Sequence, residues 1–104
     1  MKQPPPGFGW DPRKREHTLE ARGIDFHDAA TVFDDIQTRY VFDRVDPKTG
    51  EERTRAIGHS RDGTLLVVAF ANRVDDEGNE LIWVISAREA ERHEREAYEE
   101  DPWP

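Results

Sequence analysis

Cysteine is absent from the 104 residues, so disulfides, thiol nucleophiles and zinc–thiolate sites are excluded. No apolar run approaches the roughly 18 residues that a membrane-spanning helix needs. The opening Met1-Lys2-Gln3-Pro4-Pro5-Pro6 lacks the apolar stretch of a secretory signal, and a cytoplasmic protein is expected. There is no Gly-rich phosphate loop and no GxSxG elbow. The four histidines (His17, His27, His59, His93) show no metal-ligand spacing, so neither a metal nor another cofactor is expected.

Charge is abundant where apolar residues are not. Charged residues make up 37% and hydrophobic ones 35%, but the latter are clustered, which argues for a folded chain. The length suits a single domain over residues 7–100, with a disordered lead at 1–6 and a tail at 101–104. The net charge of −8 opposes nucleic-acid binding, since phosphate affinity comes largely from Lys and Arg. The distribution softens that objection. Residues 1–24 hold five basic groups against three acidic ones, and residues 89–101 hold seven acidic groups against Arg92 and Arg95. An acidic C-terminal face suits a basic protein partner, or simply solubilises a helix.

The patterning predicts an α+β fold: N-terminal helices, an antiparallel meander, then a C-terminal helix. Phe8 and Trp10 suit a short edge strand. Asp11-Pro12 reads as a helix start and Gly23 as its end. Asp25 caps a second helix, whose stripe is Phe26, Ala29, Ala30 and Phe33, ending near Asp34-Asp35. Alternation over Ile36 to Phe42 predicts a strand, and residues 52–60 predict another. Leu65–Ala71 and Leu81–Ser86 are apolar on both faces, as in strands covered on both sides. Ser86 and Glu89 form a capping box for a last helix over 87–100, with Ala90, Glu94, Ala97 and Tyr98 inward.

Few residues suggest chemistry. Arg53 lies on a strand, and Arg88 lies where a strand hands over to the last helix. A guanidinium beside a helix N-terminus can bind phosphate, although spacing alone favours an ordinary surface ion pair. Glu94 falls on the inward stripe and needs a cationic partner, with Arg53 or Arg88 the candidates. Such a pair could orient an arginine or merely pin the helix. Lys14 and His17 share one helix face and could supply a phosphate contact and a proton acceptor, or form a solvated surface.

These elements, taken in order, resemble the BrnT toxin family. The resemblance is carried by Trp10-Asp11-Pro12-Arg13-Lys14, Gly23-Ile24-Asp25-Phe26 and Ala29-Ala30-Thr31-Val32-Phe33-Asp34-Asp35. It continues through Glu52-Arg53, Ile57-Gly58-His59-Ser60, Leu65-Leu66-Val67-Val68 and Ile85-Ser86-Ala87-Arg88, then Ala90, Glu94-Arg95 and Tyr98. It spans about residues 8–100, departing where the family carries Asn at Thr18 and Lys-His at Ala21-Arg22. It implies a RelE-like fold and a ribonuclease toxin of a type II toxin–antitoxin pair. It also implies a BrnA-like ribbon-helix-helix antitoxin, with operator DNA contacted only through that partner and no membrane. On this reading the toxin is a metal-independent endoribonuclease working by 2′-hydroxyl attack. Arg53 and Arg88 hold the phosphate, Lys14 or His17 assists, and Glu94 and Tyr98 support. The alternatives are a catalytically weakened module that binds the antitoxin for repression, and an unrelated α+β scaffold.

Overall fold

A computed structural model describes residues 3–100; residues 1–2 of the expected lead and the expected tail at 101–104 lie outside them. Gln3 and Pro5 make contacts: the Gln3 carbonyl lies 3.0 Å from His27 Nε2, and the Pro5 carbonyl accepts from the Phe8 amide at 3.1 Å. The chain then forms β1 (Phe8–Trp10), α1 (Pro12–Arg22), α2 (Phe26–Ala30) and a 3-10 turn over Thr31–Asp34. Four strands follow, β2 (Arg39–Val45), β3 (Glu52–His59), β4 (Leu65–Val74) and β5 (Glu80–Glu89), and then α3 (Arg92–Glu99). This is an α+β fold around one five-stranded sheet of order β1-β5-β4-β3-β2. The meander β2–β5 is antiparallel, and β1 adds a parallel edge on β5.

Local chemistry sets the first helices as expected. The Asp11 carboxylate accepts from the Arg13 amide at 2.9 Å, Pro12 occupies the first turn, and Gly23 closes the helix at φ 70°. Asp25 does the same for α2 through the His27 amide and also accepts from Arg15 Nε and Nη2, at 2.9 and 2.8 Å. The stripe of the second helix continues into the tighter 3-10 turn rather than into further α-helix.

Two boundaries differ from expectation. The second strand begins at Arg39, not Ile36, whose side chain is 99% exposed. Ser86 does not cap a helix. Strand β5 continues to Glu89, paired with Leu66, and α3 starts five residues later than read, with Glu91 as its cap. Glu94 Oε1 accepts from the Glu91 amide at 2.9 Å, which closes that helix start.

Directly paired residues share a face of the sheet. One face presents Ala56, Val68 and Ala87 in a row and packs on Phe26, Ala29 and Val32. The other presents Ile57, Leu65 and Val67, against which Ala90 and Tyr98 pack. On β3 the first face includes Gly58, where a Cβ would press into Thr38 and stand 2.9 Å from Val32 Cγ1. Only glycine lets the connection from the 3-10 turn pass that close.

Candidate functional site

Strand β1 ends opposite Val84, which leaves the second half of β5 without a neighbour on that side. Helix α1 runs beside this open half: Arg22 Nη1 donates to the Ala87 carbonyl at 2.9 Å. A cleft of about 320 Å³ lies between helix and sheet, lined by Lys14, His17, Thr18, Ala21, Arg22, Arg53, Ile85 and Ser86. Lys14, Arg22 and Arg53 are basic side chains, and no carboxylate lines the cleft among the described residues. The local sign is thus opposite to the chain's net −8. Lys14 and His17 stand exposed on α1, one turn apart.

Arg53 enters the cleft from β3. Its Nη2 donates to Asp46 Oδ2 at 3.0 Å, in the turn after β2, while its buried Nε has no hydrogen-bond partner among the described residues. Asp46 is held below the usual carboxylate range first by the Lys48 amide and then by Arg53. Arg53 is therefore anchored through Nη2 by Asp46.

Arg88 lies on the same face of the sheet, in the row Ile57–Val67–Arg88. It lines a second cleft of about 240 Å³ with Asp43, Arg55, Val67, Ala69 and Ser86. Ser86 borders both clefts. Arg88 sits within β5, not at a helix start, and it faces Glu94 rather than free helix amides. Its two terminal nitrogens reach the two Glu94 oxygens, each at 2.7 Å. Glu94 is 3% exposed. The Arg88 guanidinium, outweighing burial, brings its carboxyl down to about 2. Arg53, the other candidate partner for Glu94, pairs with Asp46 instead.

Tyr98 lies outside both clefts. Its hydroxyl donates to Asp35 Oδ2 at 2.7 Å and lies 3.0 Å from His59 Nδ1. Burial, reinforced by Asp35, pushes its phenol up to about 12. Burial works against the Asp35 carboxylate, but the His59 and Gln37 amides and the Tyr98 hydroxyl together hold it below its ordinary range. Tyr98 pins the far end of α3 to Asp35 and His59.

The structure therefore brings Lys14, His17 and Arg53 into one cleft, places Arg88 and Glu94 at its neighbour, and sets Tyr98 apart. Sequence reasoning missed Arg22 and Arg55. Arg55 lies two residues from Arg53, and strand alternation alone puts the two on one face. Arg22 had no such signal, because its place depends on α1 passing the end of β1. A larger cleft, of about 620 Å³, includes Gly7, Asn72, Arg73 and Ile82 in its lining; Arg73, its one cation among the described residues, is taken by both Glu51 oxygens. Among the described residues no three His, Asp or Glu side chains converge as metal ligands, and no helix is long and apolar enough to cross a membrane.

A family model described as ribonuclease toxin, BrnT, of type II toxin–antitoxin system matches residues 10–94. Among solved structures the chain is similar to the ribonuclease toxin BrnT of Brucella abortus. The identity is 25% and the TM-score 0.59, over 82% of this chain and 96% of that one. No curated protein matches the sequence.

Proposed function

Because the chain belongs to the BrnT family of ribonuclease toxins of type II toxin–antitoxin systems, we propose that the Lys14–His17–Arg53 cleft cleaves RNA. Membership in the family implies an antitoxin partner. The observation that carries the proposal is the sign of the cleft. Three basic side chains and one histidine line it, with no carboxylate among the described lining residues, in a chain of net charge −8.

The chemistry is attack of a ribose 2′-oxygen on the adjacent phosphorus. His17 takes the 2′-hydroxyl proton, as histidine does best near neutral pH. The O2′–P bond forms and the P–O5′ bond breaks, leaving a 2′,3′-cyclic phosphate and a 5′-hydroxyl that takes up a proton. Lys14 and Arg53 carry the charge gathering on the equatorial phosphate oxygens. These fixed cations supply the stabilisation without a metal ion. Arg88, tied to Glu94, holds RNA beside the reacting phosphate.

The partner we propose is a ribbon-helix-helix antitoxin that covers this face and carries the operator contacts, with both proteins in the cytoplasm. One observation favours a weaker second reading, a binding module with little catalysis: Arg88 has both terminal nitrogens on Glu94.

The test is expression of the chain alone, followed by assay of the purified protein on RNA. The expected outcome is growth arrest, with fragments ending in 2′,3′-cyclic phosphate. Arg53→Gln should lower the cleavage rate by about 10²–10³-fold, the usual cost of one charge-stabilising donor. Intact RNA with the wild-type protein rules out the nuclease, and an undiminished Arg53→Gln variant removes Arg53 from the mechanism. Antitoxin binding without RNA cleavage selects the module.

A further inference from the structure

The second cleft has a composition that the reaction at the first does not explain. Its lining contains two arginines, Arg55 and Arg88, and one carboxylate, Asp43. The two arginines are in different states. Arg88 is committed to Glu94 at 2.7 Å on both nitrogens and reaches the Glu89 carbonyl at 3.3 Å. Arg55 makes looser ion pairs, 3.3 Å to Asp43 and 3.6 Å to Glu94. Its buried Nε has no hydrogen-bond partner among the described residues. Arg55, whose side chain is 36% exposed, is thus the less firmly held of the two.

Asp43 sits where the pairing register between β2 and β3 jumps from Phe42 to Arg44. It is the extra residue of a bulge, and bulges re-aim a side chain. Here the bulge brings a carboxylate to Arg55, where any other anion would have to displace it.

The two clefts are neighbours. They share Ser86, and Arg55, Ala69 and Ser86 form one row across β3, β4 and β5. Arg53 and Arg55 project from the same face, about 7 Å apart by strand rise. An extended RNA strand offers successive phosphates at a comparable interval. A nucleotide of backbone can therefore run from one cleft to the other over the small side chains of Ala69 and Ser86.

We propose that the Asp43–Arg55–Arg88 cleft is a second RNA-phosphate subsite, where Arg55 binds the phosphate next to the one cleaved and Asp43 is the anion displaced. This rests on the nuclease reading. It makes the shortest good substrate an RNA with two phosphates, and it makes Asp43 a brake on RNA binding.

The test compares a dinucleotide with a single internucleotide phosphate and the same dinucleotide extended by one nucleotide on either side. The extension on one side should raise kcat/KM roughly tenfold, as expected for a charge-assisted contact. Arg55→Gln should remove most of that gain through KM, losing far more on the extended RNA than on the dinucleotide. Asp43→Asn should enlarge the gain. A folding defect lowers both substrates together and cannot produce the opposite shifts of the two variants. Binding of the 2′-deoxy trinucleotide gives a second readout: Arg55→Gln should reduce the slope of log K against log salt by about 0.7, one single-strand phosphate contact. Equal kcat/KM on short and extended RNA, or equal losses on both in Arg55→Gln, overturns the subsite and leaves the nuclease standing. If the wild type cleaves none of them, the nuclease reading falls, and a salt slope unchanged by Arg55→Gln then overturns the subsite as well.

Discussion

Ala56, Val68 and Ala87 pair side by side across β3, β4 and β5, and none of the three is accessible to solvent. One residue away along β3 and β4, the row on the opposite face is Arg55, Ala69 and Ser86, bordered by Arg53 and Arg88. The same strands therefore carry two surfaces with different physics. The apolar face is held by burial, which is non-directional and needs only volume. The other face keeps a small apolar cluster at Ile57, Leu65 and Val67, and around its clefts it is held by ion pairs that must be satisfied one by one. Counter-ions can be exchanged for a phosphate, whereas buried methyl groups can be exchanged for nothing. The contrast explains how one thin sheet anchors a fold and still offers an open surface.

The strongest way to break this comparison is to damage the apolar face alone. Phe26 is fully buried (0% exposed), with Trp10 against its edge at 5.8 Å between ring centroids. Phe26→Ala should cost about 3–5 kcal/mol through lost transfer energy and the cavity left behind. Denaturant titration measures it. A loss below about 1 kcal/mol would mean that the helices are not held by this face.

The next effect lies on the charged face. Glu94 has a carboxyl lowered from 4.5 to about 2, mainly by Arg88. Its folded-state value is depressed, so its contribution is complete above about pH 4.5 and is lost as the pH falls towards 2. The shift corresponds to about 3 kcal/mol. Glu94→Gln should lower stability at neutral pH by that order, because Arg88 and Arg55 are left facing a neutral amide. It should also flatten the acid-unfolding curve below about pH 5. A variant that keeps the wild-type acid dependence would show that Glu94 does not organise this face.

How much of each face was legible follows from the same distinction. The apolar face was readable: Leu65–Ala71 and Leu81–Ser86 announce covered strands, and Asp11, Pro12, Gly23 and Asp25 mark helix ends by local chemistry. The errors came where a non-local partner decided. Ser86 and Glu89 satisfy a capping pattern, yet ladder pairing of Glu89 with Leu66 keeps the chain extended. For the candidate site, the residue types were visible in Lys14, His17 and Arg53. Their convergence was not, since it depends on α1 lying along the unpaired half of β5. The net charge says nothing of this cleft, because a sum over the chain hides a local region of the opposite sign.

The smallest effect sharpens the comparison most. Tyr98 holds the far end of α3 through Asp35, with its ring edge-on to His59 at 4.9 Å. Tyr98→Phe keeps the ring and removes the hydroxyl that donates to Asp35 at 2.7 Å and lies 3.0 Å from His59 Nδ1. Asp35 retains the His59 and Gln37 amides, each at 2.9 Å, so it is not stranded. The loss should be about 1 kcal/mol. Faster hydrogen exchange confined to the end of α3 is the second readout. The Glu94 and Tyr98 clamps have no side-chain partner in common, so their losses should add in the Glu94→Gln, Tyr98→Phe double variant. If the double variant is no worse than Glu94→Gln alone, the two ends of α3 are released together. The helix would then dock as one cooperative unit, and exchanging counter-ions at Arg55 and Arg88 would loosen the helix that closes this face.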